Sequence, residues 1–352
     1  MVGALKRKIV NPPDYAPRLL RTERPDLYPP NATLENDECV LLDAYLRAKG
    51  ELRSMEIVVM KASDNVDEKK QDLLRIINKY SEGRFGAIYT VQRVASIEEK
   101  VVYASNMVMI MKTSLRQSAC STNRLSREIA ALKVINDTGK GREPVKRVLP
   151  ILFESKVLGI PYFIMPPMDV SLEKMKTEIC RKMTLACAFF IAQEVLMGIK
   201  DVHAKRIVHR DVKPANVVLN PVNNNQWYLI DFGDAIMEGR RFLLSPPDGI
   251  TLPFLSLVGH QSALELIPAE CKQDIESWFY LLMDLVKPLS WRKLITEPEV
   301  IEAKKDFWLN KTEIAEGPEH LRTIAELIER GVDYPYKEIS LVLKDGFEKH
   351  KY

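Results

Sequence analysis

Between His209 and Gly233 the chain sets metal-ligating and proton-accepting side chains at a spacing that a tight hairpin would bring together. His209-Arg210-Asp211-Val212-Lys213-Pro214-Ala215-Asn216 is followed by two apolar stretches, Val217 to Leu219 and Trp227 to Ile230, around the Asn-rich connection Pro221 to Gln226. Apolar runs on either side of a turn-forming tract read as a β-hairpin. Such a hairpin returns the chain so that Asp231, heading Asp231-Phe232-Gly233, emerges beside Asn216. Two hard oxygen donors then meet next to the carboxylate of Asp211. That set can hold a divalent cation and accept a hydroxyl proton.

The rest of the chain supplies two textures around this centre. From about Gln71, Leu73 to Tyr80, Ala87 to Val94 and Met107 to Met111 read as strands, rich in β-branched or large apolar residues. Arg124 to Ile135 reads as a helix with Leu125, Ile129 and Leu132 on one stripe. Beyond Ser171 helices dominate. Arg181 to Ala204 carries Leu185, Phe189, Ala192, Leu196 and Ile199 at spacings of four and three, a buried helix face. Asp274 to Val286 is apolar on most sides and belongs deep in a core. A small β-rich lobe followed by a larger helical one is therefore expected, over 71–166 and 167–352. Ahead of them, 1–36 is a Pro-rich basic tail that buries little, expected to be disordered. An extension over 37–70 offers a short helix, Cys39 to Ala48, and a strand, Ser54 to Met60, with no functional reading.

Bulk properties exclude more than they assign. A length of 352 residues suits a two-lobed domain with an extension. The net charge of +3 gives no case for a nucleic-acid or membrane-surface partner. Five scattered cysteines without a C-x-x-C pair read as reduced thiols of an intracellular protein. No apolar run approaches the ~20 residues needed to span a bilayer. A cytoplasmic monomer is expected, with the nucleus as a second location; Lys6-Arg7-Lys8 reads as solvated charge rather than an address.

The motifs together resemble the signature set of eukaryotic protein kinases, which implies an α+β, bilobal protein kinase fold with a β-rich N-lobe, one main helix there, and a helical C-lobe. The resemblance implies ATP and Mg²⁺ (Mn²⁺ as an alternative) and a protein substrate offering Ser or Thr. It makes Asp211 the catalytic base and Asn216 and Asp231 the metal ligands. Lys213 then neutralises charge on the transferring phosphoryl, and a lysine there is the serine/threonine pattern. His209 and Phe232 read as packing elements. Val108-Met109-Ile110-Met111-Lys112 resembles the V-A-I-K strand, and sixteen residues on, Glu128 is its implied ion-pair partner. Ser81-Glu82-Gly83-Arg84-Phe85-Gly86, before Ala87-Ile88-Tyr89, resembles the glycine-rich loop, with Ser81 in place of the first glycine. Ser81, Gly83, Phe85, Gly86 and Ile88 are thus implied around the nucleotide. Phe163 to Met168 resembles the strand into the hinge: Met165 as gatekeeper, the Pro166 carbonyl and the Met168 N–H for adenine.

Ile250-Thr251-Leu252-Pro253-Phe254-Leu255-Ser256-Leu257-Val258-Gly259-His260 resembles the activation-segment ending of the casein kinase 1 superfamily, especially its tau-tubulin kinase branch. Asp274-Ile275-Glu276-Ser277-Trp278-Phe279-Tyr280, Leu289-Ser290-Trp291-Arg292-Lys293 and Gly331-Val332-Asp333-Tyr334 extend the likeness. The likeness breaks at Ser256-Leu257-Val258, in place of S-I-N or S-V-N, and in a longer stretch between His260 and Asp274; three further departures are Ser81, Asp234 where Leu is usual, and Ile250 where Gly is usual. They motivate a competing reading, a nucleotide-binding pseudokinase scaffold. Thr251 reads as a structural contact of Asp211 and Lys213, with a phosphorylation switch as the alternative, and Ser245 before Pro246 as a second candidate phosphosite.

Overall fold

The computed structural model describes residues 57–60, 72–82, 86–98, 101–114, 119–137, 145–157, 160–180, 182–220, 226–241, 252–262, 265–331 and 335–351. They fall in two compact units, the first Met1–Ile129 with Pro150–Pro167, the second Ala130–Leu149 with Met168–Tyr352.

In the first unit six strands form one antiparallel sheet in the order β1-β2-β3-β4-β6-β5. They are β1 (Ile57–Met60), β2 (Asp72–Glu82), β3 (Ala87–Glu98), β4 (Val101–Thr113), β5 (Phe153–Val157) and β6 (Ile160–Met165). Period-two alternation explains the burial: Leu74 and Ile76, Tyr89 and Val91, Met109 and Met111 are all inside. The strand expected at Ser54 to Met60 is present as β1. It pairs with β2, Ile57 opposite Arg75, and so adds an edge strand to the sheet. Helix α1 (Ala119–Asn136), which belongs to the first unit as far as Ile129 and to the second from Ala130, buries Leu125, Ile129 and Leu132 as their spacing requires, and Asn136 Nδ2 donates to the Leu132 and Leu149 carbonyls at its end.

The second unit is helical. Helix α2 (Leu185–His203) starts four residues later than the apolar pattern suggests, because the Thr184 hydroxyl accepts the Cys187 N–H at 3.2 Å and caps it there. Helix α3 (Leu257–Ser262) precedes α4 (Cys271–Val286), which is buried on nearly every side and locked to α2 where Trp278 Nε1 donates to the Ala192 carbonyl. Helices α5 (Glu297–Asn310), α6 (Glu319–Glu329) and α7 (Tyr336–Lys349) follow. Among the described residues, no helix is long and apolar enough to cross a membrane. The α+β arrangement expected from the sequence is present, an antiparallel β-rich unit and a helical unit.

A charged cluster is buried among α3, α4 and α5. His260 Nδ1 lies 2.8 Å from Glu297 Oε1, and its Nε2 lies 3.0 Å from Lys304 Nζ. An ammonium has only protons to offer, so Nε2 presents its lone pair and the ring proton sits on Nδ1, donated to Glu297. Burial first, then the Lys304 charge, pushes His260 down to about 4 against the pull of Glu297. Lys304 also lies 5.0 Å from the ring centre of Tyr280, whose hydroxyl donates to Glu276. An ordinary histidine titrates near 6.5, so between 6.5 and 4 the unfolded chain binds the extra proton. The His260 contribution should therefore be complete above pH 6.5 and fall by about 3 kcal/mol as pH drops towards 4, separate from that of Lys304, which burial pushes down to about 7 and which is lost between pH 10.5 and 7. Urea unfolding at several pH values across the His260 window checks it, with His260→Asn expected to flatten the slope.

Candidate active site

A tight antiparallel hairpin builds the centre of the second unit. Strands β7 (Val217–Leu219) and β8 (Trp227–Leu229) pair as the sequence suggests, and the Ile230 N–H donates to the Asn216 carbonyl at 3.0 Å. Asp231 therefore follows directly beside Asn216. Lys213 Nζ lies 2.8 Å from Asp211 Oδ2. Asn216 Nδ2 donates to the Asp211 backbone carbonyl at 2.8 Å and to its Oδ2 at 2.9 Å. One oxygen of Asp211, Oδ2, is thus anchored twice.

Electrostatics at Asp211 pull in both directions. Burial raises its pKa above the ordinary carboxylate range, Lys213 opposes this, and Asp231 and Asp234 add to it. Asp231 and Asp234 thus lie near enough to act on Asp211 through their charge. The donor chemistry fits a hard divalent cation: the Asn216 amide nitrogen is committed to Asp211, which turns its oxygen into the available donor beside Asp231.

The loop carrying Asp211 is strained and held. Arg210 and Asp231 both adopt left-handed backbone angles, φ 64° and 63°, which are uncommon for residues other than glycine. Asp274, on the first turn of α4 and without solvent exposure, accepts the backbone N–H of His209 at 2.6 Å and of Arg210 at 2.7 Å. Its Oδ2 also lies 2.8 Å from His203 Nε2, and His203 Nδ1 meets the Tyr336 hydroxyl. Burial pushes the Asp274 carboxyl up, but the His203 hydrogen bond and charge, with the His209 N–H, outweigh it and hold it below the ordinary range. Arg210 Nε donates to the Asp234 carbonyl at 2.7 Å. His209 is consumed in packing: Nε2 donates to the Ile230 carbonyl, and the ring meets Phe232 edge-on at 4.6 Å.

A second constellation lies in the first unit. Lys112 Nζ sits 2.7 Å from Glu128 Oε2 and 2.9 Å from its Oε1, with Glu128 almost fully buried on α1. The register places Ile88 directly opposite Lys112 and Met165 opposite Ile110, so Ile88, Ile110, Lys112 and Met165 share one face of the sheet. Ser81 is exposed at the end of β2, after a register shift. Gly86 has a structural reason to lack a side chain: a Cβ would fall 2.4 Å from the Thr113 carbonyl oxygen. Pro166 and Pro167 close the first unit and Met168 opens the second. Gly83, Phe85, Ser245, Ile250, Thr251, the tail and the Cys39 to Ala48 helix lie outside the described residues.

Asp274 is the functional residue that motif reading misses. Its sequence neighbourhood supplies a likeness but no role, because its partners are backbone N–H groups about sixty-five residues earlier.

Residues 74–241 match the family model described as a protein kinase domain. A probable casein kinase I homolog of Encephalitozoon cuniculi is 27% identical over 237 residues, 65% of this chain and 66% of that protein. A second from the same organism is 24% identical over 160 residues, 46% and 47% respectively. The sporulation protein kinase mde3 of Schizosaccharomyces pombe is 27% identical over 168 residues, 47% of this chain and 28% of it. The chain thus spans less than two thirds of the length of these curated relatives.

Proposed function

We propose that this protein kinase domain transfers the γ-phosphoryl group of ATP to serine or threonine hydroxyls of a protein. The carrying observation is the Asp211 carboxylate, one oxygen tied to Lys213 and Asn216 and the other left for a hydroxyl. In this reading Asp211 orients the acceptor and takes its proton, a role favoured by the raised pKa. Lys213 stands where charge develops on the transferring group. Asn216 and Asp231 would hold the cation that accompanies ATP, and Lys112, kept in place by Glu128, would meet its phosphates. Bound Mg-ATP supplies the phosphoryl group and charge neutralisation.

Serine/threonine preference rests on Lys213 and on the casein kinase I names of two relatives. The tau-tubulin kinase-like placement rests on motifs such as Leu289 to Lys293, where Trp291 is fully buried and donates Nε1 to the Pro253 carbonyl at 2.9 Å.

The test is label transfer from ATP, with Mg²⁺, to casein and to a basic protein, followed by phosphoamino-acid analysis. Label on serine or threonine is expected. ATP binding without any transfer would instead point to the pseudokinase scaffold. Lys112→Met should lower transfer about 100-fold, the scale of one lost electrostatic stabiliser, and should also lower the melting temperature because Glu128 loses its buried counter-charge, so transfer is compared at a temperature where both proteins are folded. A change below threefold would remove Lys112 from the site.

A further inference from the structure

Six residues, Leu252 to Leu257, are fixed at four backbone groups by side chains from distant parts of the chain. Lys304 Nζ donates to the Leu252 carbonyl at 2.6 Å and to the Leu255 carbonyl. Trp291 Nε1 donates to the Pro253 carbonyl, and Glu276 Oε1 accepts the Leu257 N–H at 2.8 Å. Glu276 stands two residues after Asp274, so adjacent turns of α4 hold both this segment and the His209–Arg210 backbone that carries Asp211. The segment and the Asp211 loop are therefore fixed to one rigid element.

Lys304 has no solvent exposure. A buried ammonium is costly unless every proton finds an acceptor, and apolar residues of similar volume would fill the space more cheaply. Burial pushes Lys304 down to about 7, and in its protonated form the three protons have three acceptors: the two carbonyls and His260 Nε2. Apolar packing could fill that volume but could not gather two carbonyls at one point.

We infer that Lys304 is a positioning residue for the protein substrate, setting the path of Leu252–Leu257 as the acceptor-side edge beside the Asp211 loop. The inference rests on the kinase reading, because an acceptor hydroxyl must come to Asp211. It assigns Lys304 to acceptor binding and leaves ATP binding and the chemical step to other residues.

Lys304→Met keeps the length of the side chain and removes the donors. Hydrogen exchange of 252–262 should rise at least tenfold in that variant, with α2 and α4 unchanged. KM for casein should rise about tenfold, while KM for ATP and kcat stay within twofold. A change confined to kcat, or equal rises in both KM values, would mark a merely structural residue and overturn the inference. Unchanged exchange at 252–262 overturns it whether or not the protein transfers phosphate. If wild type transfers nothing, the kinase reading fails, and with it the acceptor role. Should Lys304→Met not fold, His260→Asn removes one of the three acceptors. It should raise exchange at the same residues by about threefold, and no rise there counts against the clamp.

Discussion

Asp211→Asn should lower phosphoryl transfer about a thousandfold while leaving the melting temperature unchanged or slightly raised. The activity loss follows from the loss of the proton acceptor, whose contribution in such sites is about 10²- to 10⁴-fold. The amide keeps the size of the carboxylate and can still occupy the space between Lys213 and Asn216. Stability should not suffer, because the fold disfavours the charged form: burial and the neighbouring Asp231 and Asp234 raise its pKa. Removing that charge relieves repulsion, offset by the lost attraction to Lys213. Label transfer to casein and a thermal melt of the same preparation test both halves. Transfer within tenfold of wild type would show that Asp211 is not the base. A large drop in melting temperature would show that the carboxylate holds the fold rather than serving the reaction.

The candidate site was legible because its geometry is local. Asn216 and Asp231 are joined by one short hairpin, and two apolar stretches around a turn-forming tract are enough to predict it. Lys112 and Glu128 were legible for a different reason. A lysine ending an apolar strand demands a partner, and a carboxylate on the next helix provides one at 2.7 Å. Gly86 was read as an approach point for phosphate, whereas the structure adds a backbone cause, the Thr113 carbonyl. Pairing of Ile57–Met60 with β2 could not be read, since a four-residue strand does not announce its partner. Lys304 was invisible as well. In sequence it is one of a Lys-Lys pair on an amphipathic helix, and only packing shows it fully buried with three acceptors. What sequence fails to mark in each case is a contact to backbone, which leaves no pattern in side-chain identity.

Asp274→Ala should destabilise the second unit by about 4 kcal/mol or more, the largest stability effect expected of any single substitution here. The buried carboxylate accepts two backbone N–H groups and faces His203, so its removal strands several donors at once without access to water. Arg210 would also lose one of the contacts that hold its left-handed backbone, and relaxation there moves Asp211, the next residue. Asp274→Asn keeps the volume but turns an N–H₂ group towards donors, so it should recover only part of the loss. The pH dependence carries a sign of its own. Because the folded pKa lies below the ordinary value, the contribution is complete above about pH 4 and is lost as pH falls further. Acid unfolding should thus proceed in two ranges, His260 between 6.5 and 4 and Asp274 below that. Urea unfolding of both variants at pH 7, with label transfer measured on the folded protein, separates scaffold from chemistry. If Asp274→Asn is as stable as wild type and transfers phosphate at the same rate, the strained loop is held by something other than α4.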